Sequence, residues 1–74
     1  MKTIIKAKTV ATAYKKHKNK LSFREKDILI RYYGLNNQVR HSLQELGEIY
    51  KITRERIRQI KVIALTKIKV NPWI

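Results

Sequence analysis

Two Ser-x-x-Glu signatures, Ser22-Phe-Arg-Glu25 and Ser42-Leu-Gln-Glu45, restrict this chain more than any other feature. In each, the serine hydroxyl can accept from the backbone N–H of the glutamate, and the carboxylate can accept from the serine's own N–H. Two donors that a helix start leaves without partners are then satisfied reciprocally, which fixes where the helix begins. Gly34 lies between the two signatures and suits the left-handed position that ends a helix. A helix from residue 23 to about 33 follows, with Ile28, Leu29, Tyr32 and Tyr33 on its apolar face. "LNNQVRH" (35–41) reads as a loop. The next helix runs from Leu43 to about Tyr50, with Leu43, Leu46, Ile49 and Tyr50 inward. "KIT" makes a tight connection to a last helix capped by Thr53, which extends to about Lys69 and is closed by Asn71–Pro72. Val10, Ala13 and Tyr14 fall at helical spacing in a further helix starting near Thr9. Strand alternation and internal repeats are absent from the pattern. The expected fold is all-α, a small bundle of about four helices containing a helix-turn-helix without a wing.

Charge then narrows the partners. Eighteen Lys and Arg oppose five Asp and Glu, a net charge of +13 on 74 residues. A field this dense calls for an anionic partner, with nucleic acid first and an anionic membrane surface second. The distribution is uneven: residues 1–20 hold seven lysines and no acid. They read as a basic, partly helical arm, frayed over residues 1–8, ahead of a domain at 21–70 and a short tail at 71–74. Cysteine is absent, which excludes disulfides and thiolate metal sites. His17 and His41 alone do not make a metal site, and no cofactor is implied. Apolar runs are too short to span a membrane, and lysines interrupt the N-terminus before a signal-peptide core can form. The chain therefore reads as soluble, unexported and cytoplasmic, in association with the nucleoid.

The octapeptide "TRERIRQI" (53–60) carries the functional signal. Two helices joined by about three residues, the second rich in Arg and Gln, make a helix-turn-helix. Leu46 and Tyr50 bury the first helix, Gly47 permits a close crossing, Ile52 plugs the turn, and Ile57 and Ile60 anchor the second helix. Lys51 occupies the turn position that often takes glycine, where a left-handed backbone costs a non-glycine residue about 1–2 kcal/mol. At about 100° per residue, Ile57, Ile60, Ala64 and Ile68 line up as one stripe. Arg54, Glu55, Arg58 and Gln59 cluster on a nearly opposite arc in the first two turns, the end of a recognition helix that enters the major groove. Arginine pairs bidentately with guanine, glutamine with adenine, and glutamate accepts from the cytosine amino group. A solvated, salt-bridged surface helix is the alternative, and the turn pattern, the caps and the charge weigh against it.

"LSFREKDILIRYYGLNNQVRHSLQELGEIYKITRERIRQIKVIALTKIK" (21–69) closely resembles region 4 of primary-type bacterial RNA polymerase sigma factors, the part that reads the −35 promoter element. "GL" at 34–35, "SLQELG" at 42–47 and "ITRERIRQI" at 52–60 together carry the likeness. The resemblance implies that Arg54, Glu55 and Gln59 face −35 bases and that Arg58 touches a base or a neighbouring phosphate. It implies that Arg24, Ser42, Leu43, Thr53 and Arg56 hold the DNA backbone through side chains or main-chain amides. The apolar surface around Ile28, Leu29 and Tyr32 would receive the flap of the polymerase β subunit. The chain also departs from the family pattern. Lys61 and Ile63 stand where an acidic residue and a lysine are common, so one DNA contact is lost and a positive charge gained. Tyr32 stands where a basic residue is common, and Trp73 reads as a small core plug. Val62, Ile63 and Leu65 make the C-terminal half of the last helix apolar nearly all round, which points to packing on the arm or the "NPWI" tail ahead of binding a partner.

The leading expectation is double-stranded promoter recognition with RNA polymerase core as protein partner. Seventy-four residues hold no segment for the sigma region 2 that melts promoters. The chain therefore reads as a stand-alone or split sigma subunit, with a second protein supplying region 2, or as an excised sigma domain with the same DNA-binding mechanism. The alternative is a sigma-like regulator, of phage type for instance, that occupies the β flap and binds DNA nonspecifically. An enzyme is not supported: no nucleophile has a base beside it, no glycine-rich loop cradles phosphate, and His41 beside Ser42 is a loop histidine next to a helix cap.

Overall fold

The computed structural model describes residues 7–70. Four helices carry the fold: α1 (Ala7–His17), α2 (Phe23–Tyr33), α3 (Leu43–Tyr50) and α4 (Arg54–Lys67). Single 3-10 turns, Lys18–Lys20 and Leu35–Asn37, link α1 to α2 and begin the loop after α2. Of the stretch expected to fray, residues 1–6 lie outside the described residues, as do the Asn71–Pro72 closure and the Trp73 plug, whereas Ala7 and Lys8 belong to α1. Among the described residues, no helix is long and apolar enough to cross a membrane.

The local signals act as their chemistry dictates. Both capping boxes form, with Ser22 N donating to Glu25 Oε1 at 2.8 Å and Ser42 N donating to Glu45 Oε1 at 2.7 Å. Thr53 Oγ1 accepts from the Arg56 amide at 3.0 Å and so caps α4. Gly34 ends α2 at φ 68°. That is the left-handed region, which costs glycine nothing. The loop then keeps a left-handed course through Asn36 and Asn37, the residue type that best tolerates it after glycine. Helix α4 stops one turn before Asn71–Pro72. Lys69 turns left-handed at φ 63°. The amides of Lys69 and Val70 close on the carbonyls of Thr66 and Leu65, as at many helix ends.

Two apolar clusters form the interior, and α4 belongs to both. Its first half, Ile57 and Ile60, packs with Ile28 of α2 and Leu46 of α3. Its second half, Ala64 and Leu65, packs together with Ile68 against Val10 and Tyr14 of α1, Leu29 and Tyr33 of α2, Leu21 and Leu35. Tyr32 touches both clusters and joins them. The segment read as a basic arm thus sends two buried side chains into the interior, where Leu65 joins their cluster as expected, whereas Ile63, expected to pack with it, stays 45% exposed outside both clusters. Ile49, expected to face inward, is 46% exposed. Its neighbours Leu46 and Tyr50 fill the short interface between α3 and α4, and an eight-residue helix has no second buried stripe to accept it.

The α3–α4 crossing is tight. A Cβ on Gly47 would lie 2.8 Å from the Ile52 carbonyl oxygen and 3.4 Å from Arg54 N, so glycine is needed for backbone to approach backbone. Lys51 adopts φ 58°, ψ 41°, the left-handed conformation expected at a turn position without glycine. The Ile52 amide then donates to the Gly47 carbonyl at 3.0 Å and closes the turn.

One ion pair ties the two ends of the molecule's long helices together. Lys67 Nζ, near the end of α4, reaches Glu25 Oε2 at 2.9 Å at the start of α2. Glu25 is almost entirely buried and also serves the capping box. Burial opposes its charge, but the Lys67 ammonium and the Ser22 amide outweigh it and hold the carboxyl below its ordinary pKa.

The two clusters and this pair make distinct demands on stability. Ile57→Ala should cost about 2–4 kcal/mol, because the side chain is fully buried between helices. Arg54→Ala should leave the thermal midpoint nearly unchanged, since Arg54 faces solvent. Thermal melts of the two variants measure both. For Glu25 the folded pKa is depressed, so its stabilisation is complete above the unfolded value of 4.5 and is lost as pH falls through the lower folded value. Glu25→Gln keeps the capping acceptor and removes the titration. Melts from neutral pH down into the acid range should show a shallower loss of midpoint below pH 4.5 in that variant than in the wild type.

Candidate nucleic-acid interface

The Thr53 cap and the α3–α4 turn present the first two turns of α4 outward. Arg54, Glu55, Arg56 and Gln59 are exposed, and Arg58 is half-buried at the edge of the helix interface. Four of these side chains are joined in pairs one turn apart. Arg58 forks onto Glu55, with Nε to Oε1 at 3.0 Å and Nη2 to Oε2 at 2.5 Å. Arg56 Nη1 donates to Gln59 Oε1 at 3.3 Å. The Arg58 hydrogen bonds lower the Glu55 pKa, and the carboxylate in turn raises that of Arg58. The Glu55 side chain is 61% exposed and that of Arg58 40%. Solvent therefore screens the pair, and it can be exchanged for other partners at little cost. Among the described residues, Arg54 makes no ion pair and keeps its whole donor fork available.

The residues expected to hold phosphates surround this face. Ser42 and Thr53, exposed at the starts of α3 and α4, already accept from helix amides. Each hydroxyl still has a proton to donate outward. Leu43 is half-buried against the cluster of Ile28 and Leu46, so its side chain belongs to packing. What it can offer an anion is its amide, which as the first helical N–H has no intrahelical acceptor. Arg24 and Arg56 line one cleft with Ser22, Glu25, Ile60 and Ile63. Neither arginine is paired with a carboxylate among the described residues.

Arg24 is held by a network that the sequence reading missed. Its guanidinium carbon lies 5.4 Å from the centre of the Tyr50 ring. The Tyr50 hydroxyl donates to Asp27 Oδ2, and Asp27 also accepts from Arg31 Nε at 3.0 Å. Burial first, and then this carboxylate, push the Tyr50 hydroxyl up to about 12. The Asp27–Arg31 spacing was visible in the sequence as an i,i+4 pair. The Tyr50 contact spans 23 residues and left no local signal.

Two expected roles change. Ile28 and Leu29, assigned to a docking surface, are 0% exposed and lie beneath α4 and α1. They can shape a surface from within but cannot touch a partner without the core opening. Lys61, read as a new charge beside the octapeptide, folds its ammonium over the Tyr32 ring at 4.6 Å. Burial, and then the charge of Arg58, lower its pKa. That positive charge lies on the inner flank of α4, away from the row of Glu55 and Gln59. A further cationic group gathers at the far end of α4. There His17 is held below its ordinary pKa by burial and by Lys20, Lys16 and Lys69.

A capped, outward-facing, arginine-rich second helix crossing a short first helix at glycine is a helix-turn-helix arrangement. Similarity to known proteins places it further. The model of the family described as Sigma-70, region 4 matches residues 19–70. The RNA polymerase sigma factor SigA of Nostoc sp. (strain PCC 7120) is 49% identical over 49 residues, covering 66% of this chain and 13% of the relative. The chloroplastic RNA polymerase sigma factor sigD of Arabidopsis thaliana is 45% identical over 49 residues, covering 66% of this chain and 12% of the relative. SigA of Lactococcus lactis subsp. cremoris is 41% identical over 49 residues, with 66% and 14% covered. The chain thus spans only a small part of the length of the curated relatives it matches. No solved structure matches it significantly. With the helix-turn-helix in place and most of its length matched, the chain belongs to the sigma-70 region 4 family.

Proposed function

We propose that this chain binds duplex DNA sequence-specifically at −35-type promoter elements and docks on RNA polymerase core through the β-subunit flap. The observation that carries the proposal is the outer face of α4. Arg54, Glu55 and Gln59 stand exposed on its first two turns. They are flanked by two arginines, Arg24 and Arg56, that have no carboxylate partner among the described residues. Base edges would be read by Arg54, Glu55, Arg58 and Gln59. Phosphates would be held by Arg24, Arg56, the Ser42 and Thr53 hydroxyls and the Leu43 amide. Glu55 and Arg58 would part on binding, each exchanging its partner for a group on the DNA. Flap docking would use the surface about half-buried Tyr32, backed from within by Ile28 and Leu29. If the chain acts as a separate subunit, a companion protein would supply sigma region 2; the setting would be the nucleoid in the cytoplasm.

A second reading is a regulator that occupies the β flap and grips DNA without reading it. The lysines along and after α1, which stand on other elements than α4, favour it. A mobility shift with a −35-containing duplex against a scrambled one separates the two. Preference for the −35 duplex is expected, and equal binding to both supports the regulator.

The charge arrangement also sets the salt dependence. About four to six phosphate contacts should give a slope of roughly −4 to −5 in log K against log salt. Titrations across a series of salt concentrations measure it, and a slope near zero would remove the electrostatic footprint.

A further inference from the structure

We propose that Ile63 is a specificity residue that contacts the 5-methyl group of a thymine at the groove wall. This rests on α4 being the reading helix. Ile63 is 45% exposed, although it is β-branched and apolar, and neither interior cluster includes it. It continues the row of Glu55 and Gln59 at successive four-residue steps, so it stands one turn beyond Gln59 on the same side of α4. It also lines the cleft that holds Arg24 and Arg56.

The composition of that cleft selects its occupant. Arg24 and Arg56 bring positive charge with no carboxylate partner among the described residues, whereas Ile60 and Ile63 bring apolar surface. Glu25 also lines it, but its carboxylate is already engaged by Lys67 and the Ser22 amide. The cleft measures about 180 Å³. Small-molecule pockets are larger, at roughly 300–1,000 Å³. A ligand that offers an anion and a methyl group side by side fits this description. A thymidine nucleotide in duplex DNA does so, because its methyl projects into the major groove beside its own phosphate strand. With Gln59 over a base edge and Arg56 on the backbone, Ile63 points between their two directions one turn further along α4, toward the wall where that methyl lies. An isoleucine here reads A·T over G·C by burying one methyl group, with no hydrogen bond involved.

The test uses the full chain and the duplex recovered by site selection, with each thymine replaced in turn by deoxyuridine. That change removes only the methyl. Burial of one methyl is worth about 0.8 kcal/mol, so one position should show a three- to five-fold weakening for the wild type. Ile63→Ala should bind the thymine and deoxyuridine duplexes equally at that position and keep the wild-type dependence elsewhere. Its thermal midpoint should stay within a degree or two, because the side chain is nearly half exposed and belongs to neither interior cluster. If the wild type is indifferent to deoxyuridine everywhere, or if Ile63→Ala retains the same discrimination, the inference is overturned. The reading role of α4 survives that result as long as a preferred sequence is recovered. Recovery of no preferred sequence overturns both. Unchanged DNA discrimination with weakened binding to core RNA polymerase would overturn it too, and would assign Ile63 to a protein contact instead.

Discussion

The crossing of α3 and α4 at Gly47 is the constraint on which the rest of the molecule depends. A side chain there would meet the Ile52 carbonyl at 2.8 Å, so only glycine lets the turn backbone lie against α3. The turn is closed by a strained residue, Lys51, held left-handed because the Ile52 amide must reach the Gly47 carbonyl. Once that geometry is set, Leu46, Ile57 and Ile60 meet on one side with Ile28, and the opposite side of α4 has nowhere to go but outward. The outward direction of this face is therefore a consequence of packing. The arginines contribute little to the fold and depend on it for their direction.

That face is arranged before any ligand arrives. Glu55 and Arg58 hold each other, Arg56 holds Gln59, and Tyr50 lies beneath Arg24. Pairing of this kind limits side-chain rotamers, so less entropy remains to be lost on association. The pairs are exposed and screened, which keeps the cost of exchanging them small. Glu55 has a second effect in a strongly basic protein. A carboxylate among arginines is repelled by phosphate unless a base donor answers it, so it disfavours indiscriminate binding. The Lys67–Glu25 pair works differently, because its carboxylate is buried and its role is structural. It fastens the far end of α4 to the start of α2, close to Arg24.

Much of this was legible in the sequence, for reasons that can be traced to particular residues. The starts of α2, α3 and α4 follow from Ser22, Ser42 and Thr53, whose caps involve only residues three apart. The stripe Ile57, Ile60, Ala64 and Ile68 followed from periodicity, and all four are buried. The closeness at Gly47 and the backbone of Lys51 followed from the turn pattern. What was missed is long-range. Lys61 over Tyr32, Lys67 on Glu25 and Tyr50 on Asp27 join residues that no local pattern connects. The inward placement of Ile49 failed because periodicity gives a face and cannot give its width. Ile28 and Leu29 do not form the docking surface expected of them and Tyr32, because both side chains are packed beneath other helices, and of the three residues only Tyr32 keeps exposed area. The arm was read as an appendage because its lysines dominate its composition, whereas Val10 and Tyr14 tie it to the interior.

Glu55 offers the most direct test of whether the outer face of α4 reads DNA, because its two explanations diverge. It is paired with Arg58 in the free protein, and that pairing alone could account for its place. Site selection from a randomised duplex pool, performed in parallel with wild type and Glu55→Ala, separates the two. If the face reads bases, the variant should lose preference at one base pair, keep the others and bind nonspecific duplex slightly more tightly. Identical preferred sequences from both proteins would contradict base reading by Glu55 and leave it only as the partner of Arg58.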